Sequence, residues 1–260
     1  MNELIWIENV RQDKYLELVK ERDRLRKEAF CWQQEYIRVF GALILEVFER
    51  KVECIRKKKM IAYCQAAINR GKPIDRVALQ AYLAKEMKAY QKQLQRMVEE
   101  NKNAQKAREL TQLELMKIKR IYHRIAKRIH PDIFPHTQEE EGLMELWLQT
   151  VAAYECNDLE ALTECEALVN EVLEQLGIGA VNVEIPDVEE RIRKLQMQIV
   201  EIRETDPYQY RYLLEDADAK EEKKKTLEEE LQSYQAYDEQ LEELLARILG
   251  NGGVIAWQMN

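Results

Sequence analysis

Apolar residues recur at helical spacing along the first stretch of the chain. Tyr15, Leu18, Leu25, Ala29, Trp32, Tyr36, Val39, Leu43 and Val47 advance by three, four or their sum. Such steps keep one face of a helix apolar over many turns and predict a long helix from about Val10 to Asn69. Arg70-Gly71-Lys72-Pro73 should stop it, because glycine takes the left-handed cap and proline cannot continue a helix. Asp75 can cap a second helix carrying Leu79, Leu83, Met87, Tyr90, Leu94 and Met97. A short polar turn between two such helices predicts an antiparallel hairpin.

Asn101-Lys102-Asn103 weakens that helix, and Thr111-Gln112-Leu113-Glu114 then has the form of a capping box. The spacing predicts a helix from about Gln112 to Ile129, closed by Pro131. A further helix holds Leu143, Leu146, Trp147 and Tyr154. Asn157-Asp158 can end it and cap another, which stops at Gly177. Residues 177–186 read as a linker. Beyond them Ile185, Val188, Ile192, Leu195, Ile199 and Ile202 make a seam of alternating three and four steps. Asp206-Pro207 has the form of an N-cap followed by proline at the first helical position. The last helix repeats the seam with Leu227, Leu231, Tyr234, Asp238, Leu241, Leu245 and Ile248. The pattern leaves open whether these two helices pair with each other, with the first hairpin or with a second copy of the chain.

Composition strengthens the all-α reading. In 260 residues there are only 8 Gly and 5 Pro, while 34% are charged, which suits long helices with coiled-coil character. The net charge of −8 argues against a general nucleic-acid binder. The charge is unevenly spread: Lys102 to Arg128 holds nine Lys/Arg against Glu109 and Glu114, and Ile129 to Glu190 holds none. A basic helix is therefore followed at once by an acidic one. Five cysteines without C-x-x-C spacing predict free thiols rather than a disulfide framework or zinc site. The opening residues lack a basic, apolar leader, and no run approaches the roughly 20 apolar residues of a membrane span. A cytoplasmic location is expected.

The densest chemistry lies in Ile118-Lys119-Arg120-Ile121-Tyr122-His123-Arg124-Ile125-Ala126-Lys127-Arg128-Ile129-His130-Pro131-Asp132. Ile118, Ile121/Tyr122, Ile125 and Ile129 form a stripe for burial, and the cations project around the rest. The helix ends in a His-Pro-Asp turn that proline stiffens and in which Asp132 offers a carboxylate.

This segment resembles the J domain of DnaJ-type co-chaperones, which joins a basic second helix to an acidic third helix through a loop beginning His-Pro-Asp. Tyr122, Ile125-Ala126-Lys127 and the terminal His-Pro-Asp match the second helix. Trp147 with Ala153-Tyr154 looks like the aromatic and Ala-Tyr of the third. The resemblance covers about Thr111 to Asp158. The layout is also similar to J-domain-like helical proteins of Gram-positive bacteria. The family's first helix is not visible, and the stretch Tyr90 to Val98 is a candidate for its place. Ile133-Phe134 stand where the family commonly has a basic residue and Asn, and Thr150 stands at a normally apolar position.

The resemblance implies docking on a DnaK-type seventy-kilodalton heat-shock chaperone and stimulation of its ATPase. His130, Pro131 and Asp132 would be the essential trio. Tyr122, Lys119, Arg120, Arg124, Lys127 and Arg128 would form the docking surface. The competing reading is a coiled-coil scaffold in which the His-Pro-Asp hairpin is purely structural. On this basis the chain divides into a helical hairpin at 1–104, a J-domain-like module with a trailing helix at 105–176, and a second hairpin at 177–260. The hairpins are candidates for client binding or self-association.

Other positions carry plainer readings. His123 and His136 belong on solvated surface, without metal-ligand spacing to His130. Trp147 shares a face with Leu143 and Tyr154 and belongs in the core. Glu221-Glu222-Lys223-Lys224-Lys225 is a solvated helix face. No catalytic triad order, glycine-rich phosphate loop or carboxylate dyad stands out, so neither enzymatic activity nor a cofactor or metal is expected.

Overall fold

The computed structural model describes the backbone of residues 2–106, 110–134, 136–177 and 187–250. Among these residues the chain forms helices and no strand, which makes the protein all-α. The helices are α1 (Asn2–Asn69), α2 (Arg76–Lys106), α3 (Gln112–Ile129), α4 (His136–Glu139), α5 (Glu141–Glu155), α6 (Leu159–Gln175), α7 (Val188–Glu204), α8 (Tyr210–Glu215) and α9 (Ala217–Gly250). They assemble into two compact units. One comprises residues 1–33 and 108–211, the other residues 34–107 and 212–260. The units cut across the three segments read from the sequence, because a long helix can serve a different neighbour at each end.

In the unit of residues 34–107 and 212–260, Gly71 ends α1 in the left-handed conformation, with a φ of +63°. Asp75 caps α2 by accepting from the amides of Val77 and Ala78. The expected antiparallel hairpin forms. Lys59 meets Glu86, the Tyr63 and Tyr82 rings lie 5.4 Å apart, and Gln105 donates to the Arg38 carbonyl. As position rises along α1, its partner's position falls along α2. α9 joins α1 through a polar interruption of its apolar seam. Lys57 Nζ lies 2.8 Å from Asp238 Oδ1 and 3.2 Å from Glu242, and Arg50 reaches the other Asp238 oxygen at 3.6 Å. The hydrogen bond it donates to Asp238 is the main reason the Lys57 ammonium holds its proton more tightly than usual.

The unit of residues 1–33 and 108–211 is built in two apolar parts. α3, α5 and α6 share one core, with Ile118, Ile121, Ile125 and Ile129 set against Leu143, Leu146, Trp147, Leu162 and Val169. Burying each such side chain contributes about 1.5–3 kcal/mol. The first part of α1 packs instead on α7, through Tyr15 and Val19 against Ile192 and Leu195, and Leu25 and Ala29 against Ile199 and Tyr208 of the following turn. Within the chain α7 lies on the first part of α1, and α9 on the later part.

Several boundaries follow the expected physical signals. Thr111 accepts from the Glu114 amide and Glu114 accepts from the Thr111 amide, completing the capping box of α3. Asp158 caps α6 by accepting from Ala161 N, after Asn157 has taken a φ of +56°. Gly177, with a φ of +65°, follows the end of α6; the rest of the expected linker, with Ile185, lies outside the described residues. The final apolar tail lies outside them too.

One boundary differs. Asp206-Pro207 does not start the last helix; it belongs to a turn before α8. Asp216 is the cap of α9, accepting from the amides of Asp218 and Ala219. Both sites offer an aspartate, and the one followed by an unbroken run of helix formers prevails.

Candidate functional site: the His-Pro-Asp corner

α3 and α5 run antiparallel. Tyr122 stacks on Tyr154 with centroids 3.9 Å apart and planes 12° from parallel, whereas His130, farther along α3, meets Trp147, earlier on α5, at 4.4 Å. α6 lies along α3 in the same direction, with Arg124 on Glu166 and Arg128 on Asn170. α3 thus buries its isoleucine stripe between two helices and leaves a cationic face outward. Lys119, Arg120, Arg124, Lys127 and Arg128 are all exposed. Glu166 holds the Arg124 guanidinium as a more persistent cation and is itself held below the usual carboxylate range. Thr150 is fully buried without an orphaned hydroxyl, since it donates to the Leu146 carbonyl at 2.7 Å.

The corner begins where His130 leaves the helical conformation, its amide still bonded to the Ala126 carbonyl. Its ring turns inward and is 1% exposed. Nδ1 accepts from the Asp132 amide at 3.0 Å, so in the neutral ring Nε2 carries the proton. That nitrogen faces Asp23 Oδ2 of α1 at 3.2 Å, with Arg22 Nη2 alongside at 3.1 Å. Arg22 also spans to the far side of the corner, where Nη1 donates to Asp132 Oδ2 at 2.5 Å. The Tyr15 hydroxyl donates to the Asp132 carbonyl at 2.8 Å, and Arg191 of α7 reaches the same oxygen at 3.4 Å. Asp23 gathers a further bond, from the Tyr122 hydroxyl at 2.8 Å.

The electrostatics follow from this convergence. Burial alone would raise the Asp23 carboxyl; the hydrogen bond from His130 and the charge of Arg22 outweigh it and hold the group down to about 2. Burial, then the neighbouring Asp23 charge, pushes the Tyr122 hydroxyl well above its ordinary value. Burial would ease the proton off Arg22, but Asp23 and Asp132 together keep it more firmly charged than usual. A turn farther along α1, Lys27 sits 3.7 Å over the Tyr154 ring and donates to that residue's carbonyl. Burial lowers its ammonium to about 8.

The expected contact residues therefore divide. Lys119, Arg120, Arg124, Lys127 and Arg128 face solvent and Pro131 is half-buried, but His130 and Tyr122 are not surface residues. Tyr122 is 3% exposed because its ring completes an aromatic stack and its hydroxyl is spent on Asp23. Within this unit the elements against the corner are α1 and α7, while the stretch Tyr90 to Val98 belongs to the other unit. Ile133 packs with the Tyr15, Val19, Ile192 and Leu195 group, and Phe134 is buried. His123 is half-buried, its proton loosened by burial and by Lys119, Lys20 and Lys127. His136 lies outside the described side chains.

Periodicity missed Arg22 and Asp23. The signal was present: Arg22 occupies the seam position between Val19 and Leu25, where the apolar series skips a whole heptad. Among the described residues no group of His, Cys, Asp and Glu is placed to hold a metal ion, and no helix is long and apolar enough to cross a membrane. No family model, curated protein or solved structure matches the chain.

Proposed function

We propose that the chain is a co-chaperone that docks the cationic face of α3 and the His130-Pro131-Asp132 corner on a DnaK-type chaperone and stimulates its ATPase. The observation that supports this most is the antiparallel α3–α5 pair, which carries the exposed Lys119, Arg120, Arg124, Lys127 and Arg128 on α3 and the His-Pro-Asp trio in its connecting turn. An exposed row of cations favours an acidic partner and speeds encounter with it, an effect that salt screens. The reading is of a cytoplasmic protein, in keeping with its five free cysteines. The long helices would select a client or a location.

The test is the steady-state ATP turnover of a DnaK-type chaperone with rising amounts of this protein, repeated with Asp132→Asn. Turnover should rise with the native chain and stay at the basal rate with the variant. Equal turnover with and without the native protein overturns the reading.

One observation favours a second reading, that of a helical scaffold. His130 is buried and Asp132 is bound within the chain, as expected of a staple that closes a turn. On that reading Asp132→Asn lowers the melting temperature and has no other consequence.

A further inference from the structure

We infer that the first part of α1, with α7 on its back, is an intramolecular latch on the His-Pro-Asp corner that the chaperone must displace. The inference rests on the co-chaperone reading, in which Asp132 is the group the partner engages.

The division of the apolar core makes a latch physically reasonable. α3, α5 and α6 share one core, and the α1 residues Tyr15, Val19, Leu25 and Ala29 are not part of it; they pack with α7. What joins α1 to the corner is largely polar: Arg22 on Asp132, Asp23 on His130 and Tyr122, and Tyr15 on the Asp132 carbonyl. Ile133 is the apolar residue of the corner that reaches the α1–α7 group. Polar bonds given up to water can be replaced by a partner's donors and acceptors, whereas opening the α3–α5–α6 core would expose a row of isoleucines with no replacement. The α1–α7 pair can thus separate from the hairpin with its own seam and the α3–α5–α6 core kept, at the loss of the Ile133 contact.

The latch also competes for the very groups a partner would use. Arg22 takes Asp132 Oδ2, and Tyr15 and Arg191 share the Asp132 carbonyl. A cation arriving from a chaperone must replace Arg22 on the same carboxylate. The corner remains approachable, because the Asp132 side chain is 32% exposed and clefts of about 270 and 250 Å³ flank it. A closed state in which Asp132 is taken lowers the apparent affinity for the partner by the fraction of molecules that are open.

The test compares chaperone ATP turnover for the native chain, Arg22→Ala, the milder pair Tyr15→Phe/Arg191→Gln, and each of these combined with Asp132→Asn, with melting curves confirming that every chain is folded. If Arg22→Ala does not fold, the milder pair carries the comparison, since it removes the bonds to the Asp132 carbonyl with little change in volume. The latch predicts that the protein concentration giving half-maximal stimulation falls roughly fivefold on unlatching, the effect of losing one partly exposed ion pair. Adding Asp132→Asn should abolish the stimulation. Native and unlatched chains that stimulate equally would overturn the latch and leave the co-chaperone reading standing. No stimulation by any folded chain would overturn that reading and the latch with it.

Discussion

Two helical seams in this protein are interrupted by buried charge, and they are interrupted differently. In one unit Lys57 of α1 meets Asp238 and Glu242 of α9, helix against helix. In the other, Arg22 and Asp23 of α1 reach a loop, where they bind Asp132 and His130. The first arrangement is self-contained, since each charge has its partner on the facing seam. The second converges on one carboxylate: Asp23 serves Arg22, His130 and Tyr122 together. A pair between two seams can be traded for apolar residues, whereas a hub cannot be removed without stranding several groups. The comparison separates charge that registers helices from charge that governs a corner.

The largest effect should come from the hub. Asp23→Ala leaves Arg22, His130 and Tyr122 without their common acceptor and should destabilise the unit of residues 1–33 and 108–211 by about 3 kcal/mol in denaturant unfolding. A loss well under 1 kcal/mol would mean the hub is not a unit. The same group sets an acid limb. Because the Asp23 carboxyl falls from 3.8 to about 2 on folding, its contribution is full above about pH 4 and is lost as pH drops toward 2. That contribution is about 2 kcal/mol, and it should be missing from the pH profile of Asp23→Asn.

The smallest effect should come from the other seam. The double replacement Lys57→Met/Asp238→Leu restores an apolar seam and should leave the melting temperature unchanged or raised, by up to about 2 kcal/mol of stability, while Asp238→Leu alone is destabilising. A double variant less stable than the single one would erase the distinction between the two seams.

Much of this architecture was legible in the chain, for local reasons. Thr111, Glu114 and Pro131 bound α3 at the expected residues, because capping chemistry and the proline ring act within a turn. The Asp238 charge stands visibly in the seam of α9, and a buried partner follows from it. Arg22 stood in its seam as well, but its partner lies 110 residues away, and no period in the sequence spans that distance. The apolar Ile133 after the trio likewise becomes intelligible only beside Tyr15 and Ile192. Periodicity put Tyr122 in the stripe for burial, and there it lies; the docking surface implied by the resemblance would have needed Tyr122 and His130 outside, and both are buried. Motif spacing identifies which residues are unusual; burial depends on an element from elsewhere in the chain.

On the co-chaperone reading, α3 is a docking face whose corner α1 covers until a partner arrives. Amide hydrogen exchange of the full chain, alone and with an ATP-bound DnaK-type chaperone, tests it most directly. Exchange should slow over Gln112–Ile129 and, in the same complex, quicken over residues 15–29. Unchanged exchange in both stretches at saturating chaperone would contradict it.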